Sequence, residues 1–127
     1  MNFMVQAGFD IRKDKEAEFQ PWLAENEAKL AAACPEGVEY LGTYANVFGS
    51  DDRVGAYRTV WGMDSYAAMD AFSGAIKEGG AFAALMDALG HFTLDRQDGG
   101  VLSGELSRRV TDAAIWGIDE PPAARGG

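Results

Sequence analysis

Five aromatic rings, Tyr40, Tyr44, Phe48, Tyr57 and Trp61, fall on two short segments rich in β-branched and aromatic residues, separated by the polar stretch GSDDR. Ring faces bind planar apolar molecules, and tyrosine hydroxyls supply the few polar anchors that such a pocket uses. With Trp22 from the preceding amphipathic segment, Tyr40, Tyr44, Tyr57 and Trp61 are the expected ligand-binding residues; simple core packing is the competing role for the same rings. His91 is the only histidine. It is the candidate general base or axial haem ligand, and its place after Gly90, where a helical pattern stops, equally suits a helix C-terminus.

Other chemistries find less support. One histidine cannot make a paired-histidine metal site or relay, so no metal is expected. Asp51-Asp52 reads as turn chemistry, and Glu25 and Glu27 as a solvated helix face. Asp10 ends a strand, and Asp112 beside Arg108 reads as a structural ion pair. The glycines never form GxGxxG or a phosphate loop, and no serine sits in a GxSxG elbow. Cys34, the single cysteine, cannot form an internal disulfide and reads as a small hydrophobe near a helix end.

The 127 residues suit one domain, and 47% hydrophobic with 24% charged residues is the balance of a chain that folds around a core. A formal charge of −9 without any basic stripe argues against nucleic acid and anionic membrane as partners. The first residues place their basic side chains after the apolar run, the reverse of a signal peptide, and the longest charge-free stretch, Tyr40 to Ser50, is too short to span a bilayer. A cytoplasmic protein is the expectation.

The rings need elements to position them. FMVQAGFDI alternates Phe3, Val5, Ala7 and Phe9 against polar or small residues and predicts a strand. DKEAEFQPWLAENEAKLAAAC predicts a helix capped by Asp14, with Phe19, Trp22, Leu23, Leu30 and Ala33 inward and a kink or restart at Pro21. Residues 38–48 and 54–62 predict an antiparallel hairpin. A helix opening at Asp64 or Ser65, with Met69, Phe72 and Ile76 buried, follows; after the EGG break at 78–80 comes another, with Phe82, Leu85, Met86 and Leu89 inward. Residues 93–104 read as a loop, ELSRRVTDAAIWG as the fourth strand, and 117–127 as a mobile tail after a single domain at 1–116. The order is α+β, βαββαβ, a ferredoxin-like plan with a four-stranded antiparallel sheet. Helices on one face leave the other bare, and a second copy is its expected cover, so a homodimer is predicted.

Parity decides the rings. Tyr40, Tyr44 and Phe48 share one face of the second strand, and Tyr57 and Trp61 one face of the third. An even loop, such as Ser50 to Arg53, would bring all five to one face; an odd loop would split them. Even short loops are the commoner, so the single-face arrangement is expected.

In this element order, VQAGFDIRKDKEAEFQPWLAENE and YLGTYANVFGSDDRVGAYRTVWGMDSYAAMDAF, with Trp61 ending a strand before a helix, resemble the dimeric α/β-barrel superfamily over residues 3–116. That superfamily includes the antibiotic-biosynthesis monooxygenase and NIPSNAP-like groups. The resemblance implies a homodimer that binds a small apolar or aromatic molecule. Its members oxidise polycyclic phenols without a cofactor, degrade haem, decompose chlorite or isomerise lactones, so it implies structure more narrowly than reaction. Three functions stay open: a cofactor-independent monooxygenase-like enzyme on an aromatic or polycyclic substrate, a non-catalytic ligand-binding or interaction module, and a haem-binding or haem-degrading protein. Haem-degrading members pair a helix-borne histidine with pocket asparagine and tryptophan, whereas this chain carries Gln6 on its first strand and no match to that motif.

Overall fold

Period-two alternation makes β1 (Phe3–Phe9) an inner strand with an apolar face, and the rest of the chain is arranged around it. The computed structural model describes residues 2–49, 55–94 and 103–111. After β1 come a 3-10 turn at Lys13–Lys15, α1 (Glu16–Ala33), β2 (Val38–Ala45), β3 (Tyr57–Met63), α2 (Ala67–Glu78), α3 (Ala81–Gly90) and β4 (Ser103–Arg108). The strands form one antiparallel sheet in the order β2-β3-β1-β4. β1 and β2 are therefore parallel with β3 between them, and β3 and β4 parallel with β1 between them. This is the expected ferredoxin-like α+β fold.

The helices cover one face. Leu30 of α1 and Phe82 of α3 meet Phe3, Tyr40, Trp61 and Met63 in one core; Phe19 of α1 and Leu89 of α3 meet Phe9 and Ile11 in a second, and Met86 packs against both. Trp61, 1% exposed, is the centre of the larger core. Tyr40, Phe72 and Phe82 present edges to it with centroids 5.2, 5.0 and 6.0 Å away, and its Nε1 donates to Thr59 Oγ1 at 3.0 Å. Truncating a ring buried this completely costs about 3–5 kcal/mol.

Several local expectations shift. α1 runs without interruption through Pro21, and its N-cap, Lys15, makes no side-chain capping bond. Asp14 instead accepts from Arg12 Nε and Nη2 at 3.2 and 3.0 Å. α2 begins at Ala67, with Tyr66 at the cap position and no side-chain capping bond there. Its inner stripe is Ala68, Met69, Phe72 and Ala75, and Ile76 stands exposed. β4 begins at Ser103, inside the stretch read as loop, and ends at Arg108. Ser50–Val54, Asp112, Trp116 and the tail at 117–127 lie outside the described residues.

The base of the β2–β3 connection is pinned to the end of β1. Asp10 Oδ1 accepts from the Ala56 N–H at 2.7 Å, and Asn46 Nδ2 donates to the Gly55 carbonyl at 2.7 Å. Gly55 has φ +97, and a Cβ there would lie 2.6 Å from the Phe9 backbone nitrogen. Only glycine fits both the backbone angle and the close approach. Gly55→Ala is expected to cost about 1–3 kcal/mol in urea unfolding; an unchanged midpoint would mean that the connection relaxes freely.

Candidate functional site

The five rings do not share a face. Tyr40 pairs with Trp61, then a β-bulge places Gly42 opposite Val60, so that Tyr44 pairs with Arg58. The extra residue, Leu41, reverses the facing of everything beyond it on β2. Tyr40, Tyr57 and Trp61 therefore point towards the helices, while Tyr44 points to the opposite face, which carries no helix among the described residues. There Tyr44 lies over Gly42, where an added Cβ would come within 3.1 Å of its ring, and its hydroxyl donates to the Leu41 carbonyl at 3.2 Å. Tyr44 is 54% exposed. Phe48 falls beyond the end of β2 and is fully exposed. The single-face expectation is overturned by the register, because eleven residues, 46–56, separate the paired Ala45 and Tyr57.

Of the remaining candidates, Tyr40 and Trp61 stand together in the larger core. Tyr57 and Trp22 belong to the smaller one: Tyr57 stacks on Phe9 at 6.0 Å and meets Phe19 at 5.6 Å, while Trp22 meets Phe92 at 5.4 Å, itself 5.4 Å from Phe19. Between these two aromatic groups the sheet carries a row of small side chains, Thr43, Thr59, Ala7 and Gly104, paired across all four strands. Phe3 and Phe9 at the ends of β1 are buried, yet Val5 and Ala7 between them, on the same face, are only partly so. On β1 the helical layer thus leaves Val5 and Ala7 partly uncovered, whereas Thr59 beside Ala7 and Trp61 beside Val5 are buried.

A polar group that sequence reasoning missed sits at the β2 end of this row. Tyr40 Oη donates to Glu27 Oε2 at 2.7 Å and lies 2.5 Å from Thr43 Oγ1. Glu27, expected on a solvated helix face, is half-buried because Tyr40 reaches up to α1. Burial pushes the Tyr40 hydroxyl well above the ordinary tyrosine range, the Thr43 hydrogen bond pulls it back, and the Glu27 carboxylate pushes it up further by hydrogen bond and charge. Tyr40 is thus a neutral donor, not a phenolate base. No sequence signal marked this group, because the i, i+3 spacing of Tyr40 and Thr43 would point them to opposite faces in an unbulged strand.

His91 stands at the C-cap of α3, exposed, with Nδ1 2.8 Å from the Asp87 carbonyl and 3.8 Å from its carboxylate. This is the helix-end role, and it places the ring outside the aromatic groups. Arg108 lies over the Phe3 ring at 4.8 Å. Burial pushes the Cys34 thiol up, and its Sγ donates to the Leu30 carbonyl at 3.5 Å. An open cleft of about 640 Å³ lies beyond the end of β1, with Ile11, Ala56, Tyr57 and Leu94 below a rim of charged side chains that includes the Arg12–Asp14 pair. Among the described residues no three His, Cys, Asp or Glu side chains gather as a metal site, and no helix is long and apolar enough to cross a membrane.

No family model matches this chain, and no curated protein is similar to it in sequence. Solved structures are similar in fold. A NIPSNAP family protein from Agrobacterium tumefaciens superposes with TM-score 0.61 at 13% identity, over 89% of this chain and 90% of that one. HapK from Hahella chejuensis gives TM-score 0.61 at 14% identity, over 87% and 95%. A NIPSNAP domain protein from Burkholderia xenovorans gives 0.54 at 13%, over 89% and 96%. The chain has the fold of the NIPSNAP proteins across nearly its whole described length.

The raised Tyr40 pKa sets a pH dependence. Between the unfolded tyrosine value, about 10, and the higher folded value, the folded chain holds a proton that the unfolded chain has lost. Stability is therefore full below pH ~10 and falls as pH rises above it. Urea unfolding from pH 8 to 11 should show this decline, and Tyr40→Phe, which costs about 1 kcal/mol at neutral pH, should flatten it. Equal slopes in the two proteins would sink the assignment.

Proposed function

We propose that this protein is a homodimeric binder of a small, planar, largely apolar molecule, held on the helix side of the sheet over the row Thr43–Thr59–Ala7–Gly104. The observation that carries this reading is the partial exposure of Val5 and Ala7 at the centre of an inner strand, between two groups of buried rings. Small side chains below, rings on either side and hydroxyls at one end make the lining that such ligands use. The Tyr40 and Thr43 hydroxyls with the Glu27 carboxylate form the polar end, suited to a ligand that carries one hydrogen-bonding group on an aromatic frame. Homodimerisation through the opposite sheet face is supported by the one-sided placement of the described helices, since a second copy is a common cover for such a face.

The enzymatic form of this reading is a cofactor-independent oxygenase acting on an aromatic or polycyclic phenol. Its first step needs a base for the phenolic proton. Glu27 is joined to the row through Tyr40 and Thr43 and would take that role.

Ala7→Phe tests the binding site without knowledge of the natural ligand. If the space over Ala7 is open, the ring is accommodated and the urea midpoint holds, while quenching of tryptophan fluorescence by polycyclic phenols is lost or weakened by at least about tenfold. If the space is filled, overpacking lowers stability by about 1–3 kcal/mol, and the reading fails. Absence of saturable quenching in the unmodified protein across the panel would count against it equally.

A further inference from the structure

We propose that the paired hydroxyls of Thr43 and Thr59 recognise a hydroxyl group on the ligand, so that the site takes a phenol and discriminates against its ether or quinone. The proposal rests on the ligand-binding reading above and names the group that the polar end of the row selects. Thr43 and Thr59 are direct cross-strand partners just beyond the bulge, on the helix side of the sheet. Thr43 is half-buried on the edge strand β2, and Thr59, 4% exposed, lies between it and the half-buried Ala7. Each hydroxyl has one proton to give, and its neighbours decide where that proton goes. The Tyr40 proton goes to Glu27 Oε2 at 2.7 Å, so Thr43, 2.5 Å away, must be the donor to Tyr40 Oη. The Thr43 oxygen is left with lone pairs only. Thr59 is the reverse case. An indole nitrogen only donates, so Thr59 Oγ1 accepts from Trp61 Nε1 at 3.0 Å, and the Thr59 proton has no acceptor among the described residues.

A buried donor without an acceptor is costly, and folded proteins normally meet such a group with water or a ligand. Directly paired strand residues hold their Cβ atoms about 5 Å apart, close to the spacing of two hydroxyls that each sit about 2.8 Å from one shared oxygen. An acceptor and a donor therefore stand side by side within reach of a single ligand atom. A phenolic hydroxyl satisfies both, donating to Thr43 and accepting from Thr59. A methyl ether or a quinone carbonyl accepts from Thr59 but turns its own lone pairs on those of Thr43. Leaving a polar group of the site unpaired in this way is what makes a site built to read a hydroxyl reject analogues that lack one.

Calorimetric titration with naphthol, its methyl ether and naphthoquinone at neutral pH tests this, with circular dichroism confirming that each variant is folded. Naphthol is expected to bind at least about tenfold more tightly than either of the others. Thr43→Val keeps the branched shape and removes the acceptor; it is expected to bring naphthol down to the affinity of the ether and to leave the ether unchanged, and Thr43→Ser to restore the preference. Thr59→Val removes the donor that all three probes use and is expected to weaken all three. Equal affinities of naphthol and ether in the unmodified protein, a preference for naphthol that survives in Thr43→Val, or a Thr59→Val protein that binds all three as before overturns the hydroxyl reading while the binding site stands. If none of the three binds the unmodified protein, the ligand-binding reading falls and this inference with it.

Discussion

Leu41 is one residue more than β3 can pair, and the consequences of that insertion run through the whole molecule. On one side of it Tyr40 joins Trp61 in the core; on the other Tyr44 joins Arg58 on the opposite face. Because side chains alternate along a strand, one unpaired residue suffices to send two tyrosines of the same parity to opposite sides of the sheet. Gly42 makes the insertion tolerable: at φ +137 it takes a backbone conformation that side chains disfavour, and its bare Cα gives the Tyr44 ring a surface to lie on.

The sheet thereby becomes a divider between two kinds of surface. Its helix side holds two aromatic cores joined through Met86, with a row of small residues between them. Rings on both sides of that row are locked by edge-on contacts and burial, so any open space lies between the cores and not inside either. The Glu27–Tyr40–Thr43 group closes one end of the row with hydrogen-bonding capacity and no mobile proton on Tyr40 at ordinary pH. Each row on the other side holds one charged residue and one glycine, Glu39 with Gly62, Glu105 with Gly42 and Arg58 with Gly8. Tyr40 and Tyr44 thus stand on opposite faces of the same strand.

The amino-acid sequence by itself determined the element order, the inner faces of β1 and α3, and the α+β class, since each follows from a local period that burial has to respect. Val5 and Ala7 between two phenylalanines, or Phe82, Leu85, Met86 and Leu89 at helical spacing, read the same in sequence and in space. What only the tertiary structure decided was the register between β2 and β3, and with it the facing of every ring on β2. Nothing local distinguishes Leu41 as the unpaired residue, because a bulge is a mismatch between two strands and exists only when both are paired. Glu27 was hidden for the same reason. Its helix position looks solvated until Tyr40, thirteen residues on, is turned towards it by the pairing of β2 with a strand that neither residue belongs to.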